Sequence, residues 1–507
     1  MNGWVTLNKE WLLRPTQDGL ELLTPERNIA LELSEPERRD EIASILLGEV
    51  PVANNEDIQE TISDLIKQGI LQHSNRKPPG IERTETEKQI WKLRKSIVGS
   101  QGPVYEVYWL DPTQSQFSLE RTYLFTAKYR EGVENIAWAF ANDQKDRNLA
   151  ELKAIMEALE RHACSIIPFA ELVKAPAKKL GKKAIDPREV ISYTREQYKN
   201  NPSLLPFSNN REYYWKEVMT FPGREKRYLP ADCLYFPLDE KIFPRPYTFA
   251  NSSGVAAGFN FGEILPRALY ETIERDAFMM VWLKRITMPT IQRASLPEDL
   301  QNRIGEIEEL GYRVSLVNIT LDLAPVVLVA IVNNQREPAL ILGTASNLNL
   351  LEACSKALAE VEQQLYWNLK SFTPTYILSD YRKVKKVSDH AALYHTSQYL
   401  PKASFLWSGN AQFLQVPQKK LDDELEKMLK ILSSHKKQLI VADLTPISLR
   451  KLGIQVLRAI PLGLVPISFG YGMEPLGMPR LKRSPKEITR LKQNPWPDNV
   501  PFTHPFA

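Results

Sequence analysis

Cysteine is scarce in this chain. Three residues of 507 are cysteine (Cys164, Cys233 and Cys354), and no two form a CxxC pair. That excludes a disulfide framework and leaves no structural-zinc spacing. No apolar run approaches the roughly 20 residues of a membrane span. The opening Met1-Asn-Gly-Trp-Val-Thr-Leu-Asn-Lys9 lacks a basic stretch followed by an apolar one, so no secretory signal is visible. The formal charge is only +4, too small at this length to demand a nucleic-acid surface. Common nucleotide and metalloprotease signatures are missing as well: there is no GxxxxGK[ST], no GxGxxG opening a helix and no HExxH. Histidine is limited to six residues, of which His162 and His504 sit in segments discussed below. A lone histidine on a helix is most often structural. With 43% hydrophobic and 25% charged residues, the chain reads as an ordinary globular, cytoplasmic protein.

What is present divides the chain unevenly. Leu20–Thr24 and Asn28–Leu33 read as short strands around the turn-forming Pro25-Glu-Arg. Ser34 and Glu37 form a capping-box pair ahead of an amphipathic helix that runs through Leu47 and ends at Gly48. A second helix carries Ile58, Ile62, Leu65 and Ile66 and stops near Gly69. Hairpin plus helices outlines a small winged-helix module over residues 1–76, and the polar, proline-rich His73–Gly80 reads as a linker. Beyond residue 85 no comparable break appears. Glu106–Leu110, Thr122–Thr126 and Val326–Val332 read as strands, with helices expected at 148–168, 262–284 and 348–370. The fold class is α+β, a large mixed domain over 85–507 with helices layered on sheet. Its proline-rich end, from Asn494 to Ala507, should run extended, and Trp496, Phe502 and Phe506 should dock it.

The chemistry is carried by a repeat. Glu157-Ala-Leu-Glu-Arg-His-Ala163 returns, lightly changed, as Glu271-Thr-Ile-Glu-Arg-Asp-Ala277. Helical spacing stacks the two carboxylates of each copy on one face. In the first copy, Leu152, Ile155, Met156, Leu159 and Ala163 form the apolar stripe, leaving Glu157, Glu160 and Arg161 elsewhere. In the second helix, Glu263 lies about three turns before Glu274, with Glu271 on the adjoining strip. Glycine-rich Ser252–Gly258 leads into it, and such turns let backbone N–H groups approach an anion. Mg²⁺ prefers carboxylate and water oxygens and bridges to phosphates. Five glutamates with flanking arginines therefore suit an ATP site with bound Mg²⁺, although such pairs also occur on solvated helix faces.

These segments resemble the YcaO family, which binds ATP through two helices carrying ExxER and an upstream glutamate. Leu152–Ala163, Gly254–Gly258 and Leu269–Phe278 carry the resemblance, followed in order by Trp215–Pro237, Gly343-Thr-Ala with Ala357–Gln363, and Val456–Pro466. The resemblance implies that Glu157, Glu160, Glu263, Glu271 and Glu274 hold Mg²⁺ and orient the triphosphate. It places Arg161 and Arg275 against phosphates or against those glutamates, and makes Arg458 a further phosphate candidate. Lys153 stands where many members have Ser, Arg267 where many have Gln, and Phe259 where some have Asn. The first two variants look like the peptide-cyclising branch, and Lys153 and Arg267 join the expected nucleotide-binding set. Azoline-forming members commonly end in a PxPxP-like tail, which Thr503-His-Pro-Phe-Ala507 matches in part. His504, Pro505 and Ala507 are thus expected beside the reacting amide, with His504 a candidate proton carrier.

The implied activity is an ATP-dependent cyclodehydratase that turns Cys, Ser or Thr of a ribosomal precursor peptide into thiazoline or (methyl)oxazoline. Alternatives are YcaO chemistry forming thioamides or amidines, or a non-catalytic leader-binding scaffold. Residues 1–76 resemble the PqqD-like fold that binds leader peptides by strand addition. Implied partners are the precursor's leader and core, a ThiF-like subunit, a flavin-dependent azoline dehydrogenase and a second copy of the chain. Neither nucleic acid nor membrane is among the expected partners.

Overall fold

The computed structural model describes residues 4–25, 27–33, 35–52, 56–74, 76–78, 83–110, 123–132, 135–371, 378–414, 423–483, 490–494, 496 and 501–506. By internal contacts the chain divides into two compact units. One comprises residues 1–114 and 118–162, the other 163–507 with 115–117.

The first unit contains β1 (Trp4–Leu7), β2 (Leu12–Pro15), β3 (Gly19–Leu23), β4 (Asn28–Glu32), α1 (Pro36–Leu46), α2 (Glu56–Lys67) and β5 (Leu71–Ser74). It continues through α3 (Glu85–Ile97), β6 (Val104–Leu110), β7 (Tyr123–Glu131), β8 (Asn135–Asp143) and most of α4 (Arg147–Ser165). Three small antiparallel sheets result: β1–β5, β2–β3–β4 and β6–β7–β8. Ile58, Ile62 and Leu65 of α2 meet Leu20, Leu22, Ile42 and Ile45 in one core, as their helical spacing implies. Gly48, at φ +69, follows the helix in the left-handed conformation that glycine adopts without strain. Two details differ from expectation. Helix α1 starts at Pro36 with Glu35 before it and no side-chain cap, and Ser34 lies outside the described residues. His73 and Ser74 are not linker but strand, paired with Val5 and Trp4. The pairing satisfies a strand that would otherwise be left alone.

Nor does the contact division fall at residue 76. The physical reason is a buried ionic cluster. The Glu151 carboxylate of α4 accepts from Arg14 Nε at 2.9 Å and from Arg94 Nη1 at 2.8 Å. Arg94 also pairs with Glu21 of β3, and Arg14 donates to Asn148 Oδ1 at 2.7 Å. Arg94 and Glu151 are both 0% exposed. The N-terminal strands are therefore joined to α3 and α4 by groups that cannot be left unpaired. Burial alone would push the Glu151 carboxyl up, but Arg14 and Arg94 outweigh it and hold it below the ordinary range. A depressed carboxyl stabilises the fold above its unfolded value, and that stabilisation is lost as pH falls through the lower folded value. Glu151→Gln should lose about 3–5 kcal/mol in urea denaturation at neutral pH, because two buried guanidinium groups lose the carboxylate they share and keep only Glu21 and Glu87.

The second unit opens with β9 (Val173–Pro176), α5 (Ala177–Leu180), α6 (Arg195–Asn200), β10 (Glu212–Phe221), β11 (Lys226–Pro230) and β12 (Val255–Gly258). Then come α7 (Phe261–Leu283), β13 (Thr290–Ile291), α8 (Glu298–Glu309), β14 (Arg313–Asn318), β15 (Val326–Val332), β16 (Leu340–Ser346) and α9 (Leu350–Ser371). It continues with α10 (Val387–Leu393), α11 (Leu400–Ala403), β17 (Ala411–Gln412), α12 (Glu424–Ser434), β18 (Leu439–Asp443) and β19 (Gln455–Pro461). One sheet runs β11–β10–β18–β19–β12, with β9 also on β10, and a second runs β16–β15–β14–β13–β17. Among the named pairs only β13–β17 is parallel. Helix α7 packs on β12 and β19 of the first sheet and on β16 of the second. Its Ile264, Leu265, Leu269, Ile273, Phe278 and Trp282 are buried, and a helix apolar nearly all round belongs between two layers. The three long helices lie within three residues of their expected limits. No helix among the described residues is long and apolar enough to cross a membrane.

Candidate functional site

Helix α7 begins where Asn260 caps it, its side chain accepting from Gly262 N at 2.9 Å. Glu263 and Arg267 are exposed on its first turns, Glu271 and Arg275 are half-buried, and Glu274 is buried. The glycine-rich approach reaches Glu271 directly: Gly254 N donates to Glu271 Oε2 at 3.0 Å. Gly254 has φ +75, and a Cβ there would stand 2.5 Å from the Ala459 carbonyl oxygen and 2.5 Å from Thr272 Cγ2. Only glycine lets the β12 backbone come this close to α7. Arg267 donates to the Ala257 carbonyl, which folds it back onto β12.

One turn on, Thr344 of β16 holds two carboxylates. Its hydroxyl donates to Glu274 Oε1 at 2.5 Å, and its amide to Glu360 Oε2 of α9 at 2.7 Å. Burial first, then the Glu360 and Glu271 charges against the opposing pull of Arg275, push the Glu274 carboxyl up, to about 8. Such a group is short of positive charge. Arg275 supplies some, with Nη2 3.6 Å from Glu271 and Nε 3.8 Å from Glu274. Its Nε and Nη1 have no hydrogen-bond partner among the described residues. Arg458 of β19 donates to the Leu234 carbonyl at 2.8 Å, and its buried Nε likewise finds no partner among the described residues. Burial lowers its pKa against the raising influence of Cys164, Cys233 and Glu271. Arg275, Arg458, Thr272, Ser253 and Asn251 line one cavity of about 70 Å³. Spare guanidinium donors beside crowded carboxylates fit a phosphate-bearing ligand that carries its own cation. Among the described residues no three acidic, histidine or cysteine side chains are arranged to hold a metal unaided.

The C-terminal segment docks as expected. Residues 501–506 form neither helix nor strand and are buried, and Trp496, Phe502 and Phe506 belong to the main core of the unit. Trp282 Nε1 donates to the Phe502 carbonyl at 2.7 Å, and the Phe506 ring lies 4.1 Å from the Arg275 guanidinium carbon. Pro505 is buried in this run, and Ala507 lies outside the described residues. His504 is 1% exposed and its Nε2 meets the Ser468 carbonyl at 2.8 Å. Burial, then His390 beside it, holds its pKa well below the usual value. This is the setting of a packed, neutral ring, which does not suit the proton-carrying role expected of His504.

The first copy of the repeat lies on α4 in the first unit. Glu157, Glu160 and Arg161 are half-buried, with Arg161 Nη2 3.4 Å from Glu157 Oε1. The apolar side is broader than the expected stripe and adds Ala150, Ala154 and Ala158, whereas Leu152 is only half-buried. Lys153 is exposed and paired with Asp143 at 2.7 Å. His162 Nδ1 meets the Arg130 carbonyl at 2.7 Å, a structural role. Sequence reading missed two residues, Thr344 and Glu360. The available signal was Gly343-Thr-Ala and Ala357–Gln363 matching the family in order, but nothing in their spacing singled out a threonine that bridges two acids.

A family model described as "YcaO cyclodehydratase, ATP-ad Mg2+-binding" matches residues 144–464. That is more than half of the chain, and the chain belongs to the YcaO family. ATP and Mg²⁺ are its cofactors. An uncharacterized protein of Methanothermobacter thermautotrophicus is 26% identical over 230 residues, which cover 44% of this chain and 56% of that protein. A heterocyclase solved in complex with substrate and cofactor shares the fold at TM-score 0.64 and 20% identity, over 85% of this chain and 58% of that one. The chain thus spans a little over half the length of these relatives. YcaO from Methanopyrus kandleri, bound with AMPPCP and Mg²⁺, gives TM-score 0.53 at 17% identity, over 71% of this chain and 86% of that one.

Gly254→Ala should destabilise the protein by about 1–3 kcal/mol through backbone strain, and should weaken Mg²⁺·ATP binding by displacing the amide that fixes Glu271. Thermal unfolding and calorimetric titration with nucleotide check the two effects.

Proposed function

We propose that this chain is an ATP-dependent cyclodehydratase that converts Cys, Ser or Thr of a ribosomally made precursor peptide to thiazoline or (methyl)oxazoline. The observation that carries this reading is the arrangement on α7: Glu271 and Glu274 held from two strands, Arg275 between them, and a docked C-terminal segment lying on Arg275. Bound as its Mg²⁺ complex, ATP supplies the phosphoryl group that turns an amide oxygen into a leaving group. The residues of this chain contribute charge and position. Glu157, Glu160, Glu263, Glu271 and Glu274 take the metal-facing role. Arg161, Arg275 and Arg458, with Lys153 and Arg267, take the phosphate-facing role. The docked tail favours azoline formation over thioamide or amidine chemistry. A ThiF-like subunit, a flavin-dependent dehydrogenase and a second copy of the chain remain the partners of this reading.

Glu271→Gln and Glu160→Gln should each lower Mg²⁺·ATP turnover by at least about a hundredfold, the scale of removing one preorganised charge at a reacting site. Circular dichroism should stay unchanged, because apolar side chains carry the packing of both helices. Normal ATP-dependent peptide modification by both variants would overturn the assignment. Loss of one water together with loss of a free Cys, Ser or Thr side chain identifies an azoline, loss of one water with consumption of an amine identifies an amidine, and exchange of oxygen for sulfur identifies a thioamide.

The leader-binding role of residues 1–76 belongs to the same proposal. Strand β4 is an edge of its sheet among the described residues, and a groove of about 630 Å³ runs between it and helices α1 and α2. An extended peptide can add to such an edge while its alternate side chains enter the groove. Thr61→Trp, which fills the groove from α2, should raise KM for the full-length precursor by about tenfold, the effect of losing ~1.4 kcal/mol of binding. KM for a leaderless core peptide should not move. Equal effects on both substrates would remove the leader-binding role.

A further inference from the structure

Helix α10 contributes a histidine that nothing above uses. His390 is 1% exposed, and both its ring nitrogens are engaged. Nδ1 lies 2.8 Å from the His504 carbonyl oxygen, and Nε2 accepts from Gly470 N at 2.9 Å. A carbonyl can only accept and an amide N–H can only donate, so the partners fix the tautomer: Nδ1 carries the proton and Nε2 the lone pair. The ring must be neutral to make both bonds. Burial keeps it so, holding its pKa down to about 4. The His390 imidazole also stacks on that of His504, with centroids 4.2 Å apart and planes 28° from parallel. Just past the end of α10, the Tyr394 hydroxyl donates to the Thr503 carbonyl at 2.7 Å. Two successive carbonyls of the C-terminal segment are therefore gripped from α10 and the residue that follows it. Two residues beyond His504, Phe506 lies on Arg275 and 5.0 Å from the Phe278 ring.

We propose that His390 is a positioning residue of the nucleotide site: it latches the C-terminal segment at His504 and thereby keeps Phe506 on Arg275. Arg275 makes long ion pairs to Glu271 and Glu274, and two of its nitrogens have no hydrogen-bond partner among the described residues, so little in those residues fixes its side chain. A ring on its face restricts it without using any of its N–H donors. The latch thus leaves the guanidinium edge available while holding its plane. His390 touches neither nucleotide nor peptide in this scheme and acts only through the segment it holds.

The inference rests on the proposed function for its kinetic arm only. His390→Phe keeps an aromatic ring against His504 and deletes both hydrogen bonds. Hydrogen–deuterium exchange of residues 501–506, read by mass spectrometry on the full chain without ligands, should then accelerate by at least about tenfold as the segment opens locally. In peptide-dependent ATP turnover, kcat should fall by about tenfold while KM for ATP moves less than about threefold, the pattern of a group that acts on the transition state. His390→Asn, whose amide nitrogen reaches the Nδ1 position, should restore both. Phe506→Leu should reproduce the kcat loss while exchange at 501–504 stays slow. Unchanged exchange in His390→Phe would overturn the latch, and rapid exchange with wild-type kcat would overturn its link to Arg275. If the wild-type protein has no ATP turnover, the proposed function fails, and the exchange experiment still decides whether His390 holds the segment.

Discussion

The second unit depends on burying α7 between two sheets that are almost entirely antiparallel. A helix enclosed on both sides must be apolar almost everywhere, and each polar group it retains must find a partner within the layers. Glu271 finds the Gly254 amide from one sheet, and Glu274 finds the Thr344 hydroxyl from the other. Asp276, also buried, accepts from Val465 N at 2.8 Å and from Arg480 Nε at 2.9 Å. Arg480 in turn pairs with Asp322, so three distant segments meet at one turn of the helix. The carboxylates are thereby held by the scaffold before any ligand arrives, which is the preorganisation that phosphoryl chemistry needs.

The constraint leaves the site unbalanced in charge. Glu271 and Glu360 both raise the Glu274 carboxyl, and Arg275 answers Glu271 and Glu274 only at long range. A site of this kind is completed by a cation that brings its own anionic ligand, which is what a Mg²⁺–nucleotide complex provides.

Much of this could be read from the residues. The duplicated ExxER, the glycine-rich lead into α7 and the 3.6-residue apolar spacing placed the long helices nearly where they lie. The docking of Phe502 and Phe506 followed from aromatic content in a proline-rich segment. Other features were not legible because they depend on chain-distant partners. His73 and Ser74 look like linker until Trp4 and Val5 pair with them. Thr344 and Glu360 are ordinary residues until β16 and α9 bring them to Glu274. His390 has no local motif at all, and its role appears only where the His504 carbonyl meets it. The reach of the first unit beyond residue 76 was hidden for the same reason, since Arg14, Arg94 and Glu151 are far apart in sequence.

That last cluster also bears on ionic strength. Mobile ions screen pairs they can approach, such as Lys67–Asp64, whose side chains are 73% and 55% exposed. They cannot approach Glu151, which is sealed beneath α3 and the N-terminal strands. Acid and salt therefore act on the first unit in different ways: protons can unmake its central attraction, and electrolyte leaves it intact. The protein should keep this unit folded in brines that dissolve its surface ion pairs.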